Sequence, residues 1–243
     1  MNYLDLTLPS PEENLACDEA LLDLCEQGLG GEVLRLWEFP RPFVVVGYAN
    51  RVAREVNVPF CRQNGLPILR RCSGGGTVLQ GRGCLNYALI LRIGESGPLR
   101  SIASTNQFVL ERNRSILQSL LQAPVCIRGH TDLALGGLKF SGNSQRRKRN
   151  ALLFHGTFLL GFDLALIERA LRFPSRQPDY RANRSHADFL VNLPIPARDL
   201  GRALGDGWQA DAPPREIPHE YIGRLAREKY AAKEWTWKFD GEE

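Results

Sequence analysis

Two arginines, a serine and three consecutive glycines run together in Arg70-Arg71-Cys72-Ser73-Gly74-Gly75-Gly76-Thr77. Bare backbone N–H groups in such a turn can close around a phosphate or carboxylate, and adjacent guanidinium groups supply the balancing charge. Glycines in series weaken a sheet, so a close approach of ligand to backbone is the usual reason for them; a glycine hairpin without a ligand is the other reading. A second cluster spans residues 132–145. There the two-residue period of a strand predicts Lys139, Ser141, Asn143 and Gln145 on one face. A return strand across Arg146-Arg147-Lys148-Arg149 brings His155 and Thr157 to the same face. An ammonium, an imidazole and neutral hydrogen-bonding groups together make a cradle for an anionic reaction centre, although the solvated face of an antiparallel sheet carries the same pattern.

The remaining reactive residue types point elsewhere. Six cysteines (Cys17, Cys25, Cys61, Cys72, Cys84, Cys126) include no Cys-x-x-Cys pair and no zinc-type spacing, so reduced thiols are expected. His130, His186 and His219 lack metal-type spacing, and no metal site is expected. The basic run 146–149 reads as a solvated turn, with none of the interleaved aromatics of a nucleic-acid surface. No Gly-x-Gly-x-x-Gly follows a strand and no Walker lysine follows the glycines, which disfavours dinucleotide-fold and P-loop chemistry.

These side chains need a scaffold. Ser10, Pro11 and Glu13 open a helix by a capping box, and Gly28 lies beyond its end; Cys17 and Cys25 fall within it as packing residues. Strands are expected over 33–39 and 43–48, a helix over 52–64, and strand, glycine turn, short strand, turn and strand over 67–91. Then come a helix over 104–121 and strands over 132–135, 138–145 and 152–160. A helix capped by Asp163 ends near Phe173-Pro174, and a last one covers 218–233. Neighbouring strands follow one another through short turns. The fold class is therefore α/β of the α+β type, a mixed, largely antiparallel sheet with packed helices, not a doubly wound parallel sheet. With 243 residues, 43% hydrophobic, the chain is read as a single domain over 1–243. A net charge of +4 is too mild to imply nucleic acid, and it suits an anionic ligand or an acidic partner. Neither a membrane-length apolar run nor a signal segment is present in the sequence, so a cytoplasmic location is expected.

In order, Arg70 to Val78, Asp132 to Ser144, and His155 to Leu160 resemble the lipoate–protein ligase and octanoyl transferase family. Supporting stretches lie at 14–21 and 229–235, so the resemblance covers nearly the whole chain. It implies the catalytic domain shared with biotin ligases. It also implies activation of lipoate by ATP, accompanied by Mg²⁺, as lipoyl-adenylate, followed by attack of a lysine from a lipoyl carrier domain. By motif position Arg71, Ser73, Gly74, Gly75, Gly76 and Thr77 line the acyl and phosphate site, with Ser141 and Gly142. Lys139 contacts the carbonyl and phosphate oxygens, and His155, Gly156 and Thr157 border the pocket. The sequence departs from the family pattern at Gln80-Gly81, where many members carry His-Asp, and at Cys84, where an asparagine is usual. It ends soon after Trp235-Thr236-Trp237, without the accessory domain of some members, which makes a separate accessory subunit a candidate partner. Octanoyl transferases of the family dispense with ATP and pass the acyl group through a cysteine. Cys126 and Cys84 are the candidates for that role, with Lys139 available to lower a thiol pKa. The ligase reading is adopted, with the transferase, a biotin ligase and a non-catalytic lipoate-binding protein as its rivals.

Overall fold

A computed structural model describes residues 1–212 and 216–241. Strand β1 (Asn2–Asp5) leads into helix α1 (Pro11–Glu26), where the expected capping box forms: the Ser10 hydroxyl accepts from the Glu13 N–H, and the Glu13 carboxylate accepts from the Ser10 N–H at 3.0 Å. Strands β2 (Val33–Trp37) and β3 (Phe43–Val46) follow, shorter than expected: Pro40 closes off the first, and beyond the second the Gly47 and Tyr48 carbonyls accept from the Arg70 side chain. The helix expected over 52–64 is two, α2 (Val52–Glu55) and α3 (Val58–Gln63). Pro59 has no N–H to continue the first, and the Asn57 side chain caps the second.

Strands β4 (Ile68–Arg70) and β5 (Val78–Gln80) enclose the glycine turn, and β6 (Cys84–Arg92) follows. Helix α4 (Ile102–Leu121) begins at a Ser101 cap. Strand β7 (Val125–Arg128), which the sequence reading missed, precedes β8 (Asp132–Leu135), β9 (Leu138–Arg147) and β10 (Ala151–Leu159). The helix from Asp163 stops early, as α5 (Leu164–Ala170). Short α6 (His186–Phe189), α7 (Ala197–Trp208), α8 (His219–Leu225), a π-helical segment (Ala226–Tyr230) and α9 (Lys233–Thr236) complete the order.

The large sheet runs β1-β2-β6-β10-β9-β8-β7, antiparallel except for β1 with β2, and a small sheet runs β4-β3-β5. Alternation sorts the large sheet's residues by face. Leu34, Leu36, Tyr87, Leu89, Phe154 and Phe158 pack with α4 and α7. Val33, Trp37, Ala88, Ile90 and Leu153 join α1, Phe43, Val45 and Leu69 in a second core. The small sheet thus lies on the α1 side of the large one, and the site forms between them. Among the described residues no helix is long and apolar enough to cross a membrane.

Candidate active site

The two adjacent arginines have different surroundings. Arg70 is fully buried and donates to the carbonyls of Gly47, Tyr48, Asn50, Trp235 and Thr236, tying the chain's last helix to the loop after β3. Arg71 turns into the glycine loop, donating to Gly74 O at 2.5 Å, Gly76 O at 2.7 Å and the Ser73 hydroxyl at 3.1 Å. Burial lowers its pKa to about 10. The sequence reading made Arg71 a direct source of charge for an anion. Its guanidinium borders the cavity and also folds the turn around itself. Gly75 is required there: its φ is +85°, and a Cβ would stand 2.9 Å from Arg71 Nη2. At Gly74 and Gly76, by contrast, a Cβ would meet nothing within 4 Å, which leaves the Gly76 backbone open to a ligand.

Ser73 sits beneath this turn, only 1% exposed. Its oxygen lies 2.5 Å from His155 Nε2, and because it already accepts from Arg71 its own proton is available to that nitrogen. His155 Nδ1 is 3.6 Å from Asp18 Oδ2, and Asp18 Oδ1 takes Arg35 Nη1 at 2.6 Å. Arg35 is saturated further by Asn14 and the Leu6 carbonyl. A polar chain therefore runs from α1 through β10 to the glycine turn and fixes the His155 ring. Asn14, Asp18 and Arg35 were missed from the sequence. The signal was there: Asn14 and Asp18 lie one turn apart on the buried face of α1.

Lys139 reaches the same space by an irregularity. Ala134 pairs with Lys139 but Leu133 pairs with Ser141, so β9 carries an extra residue at this point. The bulge moves Lys139 out of phase with Ser141, Asn143 and Gln145, correcting the expectation that all four share a face. Asn143 lines the cavity but is bonded by Tyr87, and Gln145 turns toward α4, donating to Asn106. Gly142 and Ser144 pair with Thr157 and His155, so these four share the cavity face. Lys139 bends over Gly142, where a Cβ would lie 2.8 Å from its Nζ, to bind Asp132 Oδ1 at 2.7 Å.

These groups surround one cavity of about 1140 Å³. Arg71, Gly75, Gly76, Thr77, Lys139, Ser141, Gly142, His155, Gly156 and Thr157 line it, whereas Ser73 and Gly74 are not on its wall. Leu15, Trp37, Val45 and Val78 give it an apolar side. Gln80 also lines it. Its amide donates to the Thr157 hydroxyl, which donates to Asn86, leaving Gln80 Oε1 buried without a partner; Trp37 Nε1 is in the same condition.

Neither candidate cysteine lines the cavity. Cys84 is buried with Val44, Val46, Leu79 and Leu159, and burial pushes its thiol far up, the reverse of what a nucleophile needs. Lys139 is not among the groups acting on that thiol, so the thiol-lowering role given to it at Cys84 is corrected too. Cys126 is exposed on β7.

A family model, the lipoyl protein ligase A/B catalytic domain, matches residues 10–195. The octanoyltransferase LipM of Lysinibacillus sphaericus is 28% identical, covering 94% of this chain and 95% of its own. A putative lipoate-protein ligase A of Aeropyrum pernix is 34% identical over 68% of this chain and 60% of its own. Among solved structures, a bipartite lipoate protein ligase of Thermoplasma acidophilum, studied with its E2 lipoyl domain, superposes with a TM-score of 0.81 at 21% identity, covering 100% of this chain and 98% of that one. A lipoate-protein ligase A bound with ATP gives 0.79 at 22% identity, covering 98% of each. The mixed-sheet fold is the one these structures share.

Proposed function

The chain belongs to the lipoyl protein ligase A/B catalytic domain family, and from that premise we propose that it activates lipoate with ATP as lipoyl-adenylate and transfers the acyl group to a lysine of a lipoyl carrier domain. One observation carries this reading: the cavity is lined by a lysine ammonium and open glycine backbone, and by no cysteine among the described residues. A route through an adenylate needs donors at the phosphate and the developing oxyanion. It needs no enzyme nucleophile.

In the first step the carboxylate attacks the α-phosphorus and pyrophosphate leaves. In the second the carrier amine attacks the acyl carbonyl and AMP leaves. Lys139 serves both, and a preorganised donor at such oxygens contributes about 3 kcal/mol in the transition state. A cavity of about 1140 Å³ exceeds the usual range for one small ligand and suits an acid together with a nucleotide. The apolar side at Trp37 and Val45 takes the acyl tail. Mg²⁺ belongs to the substrate as the companion of ATP; among the described residues no three His, Cys, Asp or Glu side chains are arranged to hold a metal. A lipoyl domain as acceptor is supported by the Thermoplasma ligase studied with its E2 lipoyl domain, and a separate accessory subunit is part of the proposal, in keeping with the bipartite make-up of that ligase. The unpaired cysteines suit a cytoplasmic location.

A second reading, transfer from an octanoyl thioester without ATP, is favoured by the LipM octanoyltransferases, which align along nearly the whole chain. Lipoate-dependent exchange of labelled pyrophosphate into ATP separates the two. The ligase gives exchange; absence of exchange together with a hydroxylamine-labile acyl-enzyme would establish the transferase.

A further inference from the structure

One wall of the cavity comes from residues 171–185, which cross between α5 and α6 with little regular structure. This strap is seated at several points. Pro178 lies over Gly129, whose φ is +54° and whose added Cβ would come within 3.1 Å of it. Arg184 donates to the Gly137 carbonyl, and the Tyr180 ring stands 5.1 Å from that of Phe189. The Tyr180 hydroxyl donates to Asp132 Oδ2 at 2.8 Å. The other oxygen of that carboxylate holds Lys139 Nζ at 2.7 Å.

We propose that Tyr180 is a positioning residue for Lys139, acting through the Asp132 carboxylate, so that the ammonium is set in the cavity only while the strap is seated. The inference rests on the reading that Lys139 meets the reacting oxygens. Its geometry is independent of which donor supplies the acyl group.

A lysine side chain is a point charge on a flexible stem, and one ion pair does not fix its direction. The plane of its partner has to be fixed as well. Asp132 has one oxygen on the lysine and one on the tyrosine, so its carboxylate cannot rotate without breaking a bond. Burial and the neighbouring carboxylate hold the Tyr180 phenol in its protonated, donating form. Beneath the pair, Gly142 leaves room for the ammonium. Beyond the strap, the Val191 N–H donates to the Lys139 carbonyl at 2.9 Å, so the lysine's backbone is anchored to the segment after α6.

Tyr180→Phe removes one oxygen and keeps the ring on Phe189. In the full chain, with whichever acyl donor proves active, it is expected to lower kcat roughly 10- to 100-fold, the effect of losing a hydrogen bond to a charged group. KM should stay within about threefold. Asp132→Asn should cost more, and the double variant should be no slower than Asp132→Asn alone. Independent, multiplying effects of the two changes, or an effect confined to KM, would overturn the proposal. Mapping the acetylation rate of Lys139 by mass spectrometry gives a readout without turnover. Tyr180→Phe should raise that rate, and an unchanged rate refutes the inference. Absence of turnover by wild-type protein with either donor would sink the proposed function, and the labelling would still decide this point.

Discussion

At the scale of single residues, the proposed chemistry rests on Lys139, and Lys139→Met is expected to lower kcat for acyl transfer about 10²- to 10³-fold with the fold intact, as steady-state rates and circular dichroism would show. The cysteines should behave in the opposite way. Cys126→Ala leaves turnover unchanged, and Cys84→Ala lowers stability by about 1–2 kcal/mol in urea titration while the folded enzyme stays active. Burial raises the thiols of Cys17 and Cys72 to about 11 and about 12. At pH 8 they are protonated, so a thiol reagent should label the exposed Cys126 rapidly and these two only on unfolding. The same shifts set a sign for stability. The folded state holds these protons more tightly, so their contribution is complete below the ordinary thiol pKa of 9.0 and is lost as pH rises toward about 12. The urea midpoint should fall across that window.

At the scale of elements, two glycines of one turn face the cavity, and Gly75 shapes the turn as well. Gly75→Ala meets a positive φ and Arg71 Nη2, and an expected loss of about 1–3 kcal/mol should appear in thermal unfolding. Gly76→Ala meets open space; its stability should stay within about 0.5 kcal/mol while KM for acid or nucleotide rises. The sequence marked this turn because three glycines are anomalous between strands, and it marked the Lys139 strand by its polar period. It did not mark the bulge, since an extra residue at Lys139-Phe140 leaves no trace in composition. An unbroken two-residue period places Lys139 with Asn143 instead of with Gly142 and Ser144. Strand β7 escaped for a related reason: it is four residues long at a sheet edge, with Cys126 and Arg128 exposed, and lacks the apolar density that identified β3. Strap 171–185 was half hidden, because the Asp163 cap announced a helix whose early end only tertiary contacts reveal.

At the scale of the molecule, the site depends on parts far apart in the chain. Helix α1 supplies Asp18, which with Arg35 forms a buried pair behind His155. Arg35→Met strands that carboxylate, and an expected cost of about 3–5 kcal/mol should be evident in urea unfolding. The fold class and the three motifs were legible in the sequence because each leaves a local pattern. Arg70 is not distinguishable there from Arg71, because its bonds to Trp235 and Thr236 join residues 165 and 166 positions apart. The most direct test of the whole account is the mass of a lipoyl carrier domain after incubation with the purified protein, given either preformed lipoyl-adenylate or an octanoyl carrier thioester. Supplying the adenylate removes any need for an accessory subunit. One lipoyl group added to a single carrier lysine from the adenylate is expected; acylation from the thioester alone, with none from the adenylate, would contradict the ligase mechanism.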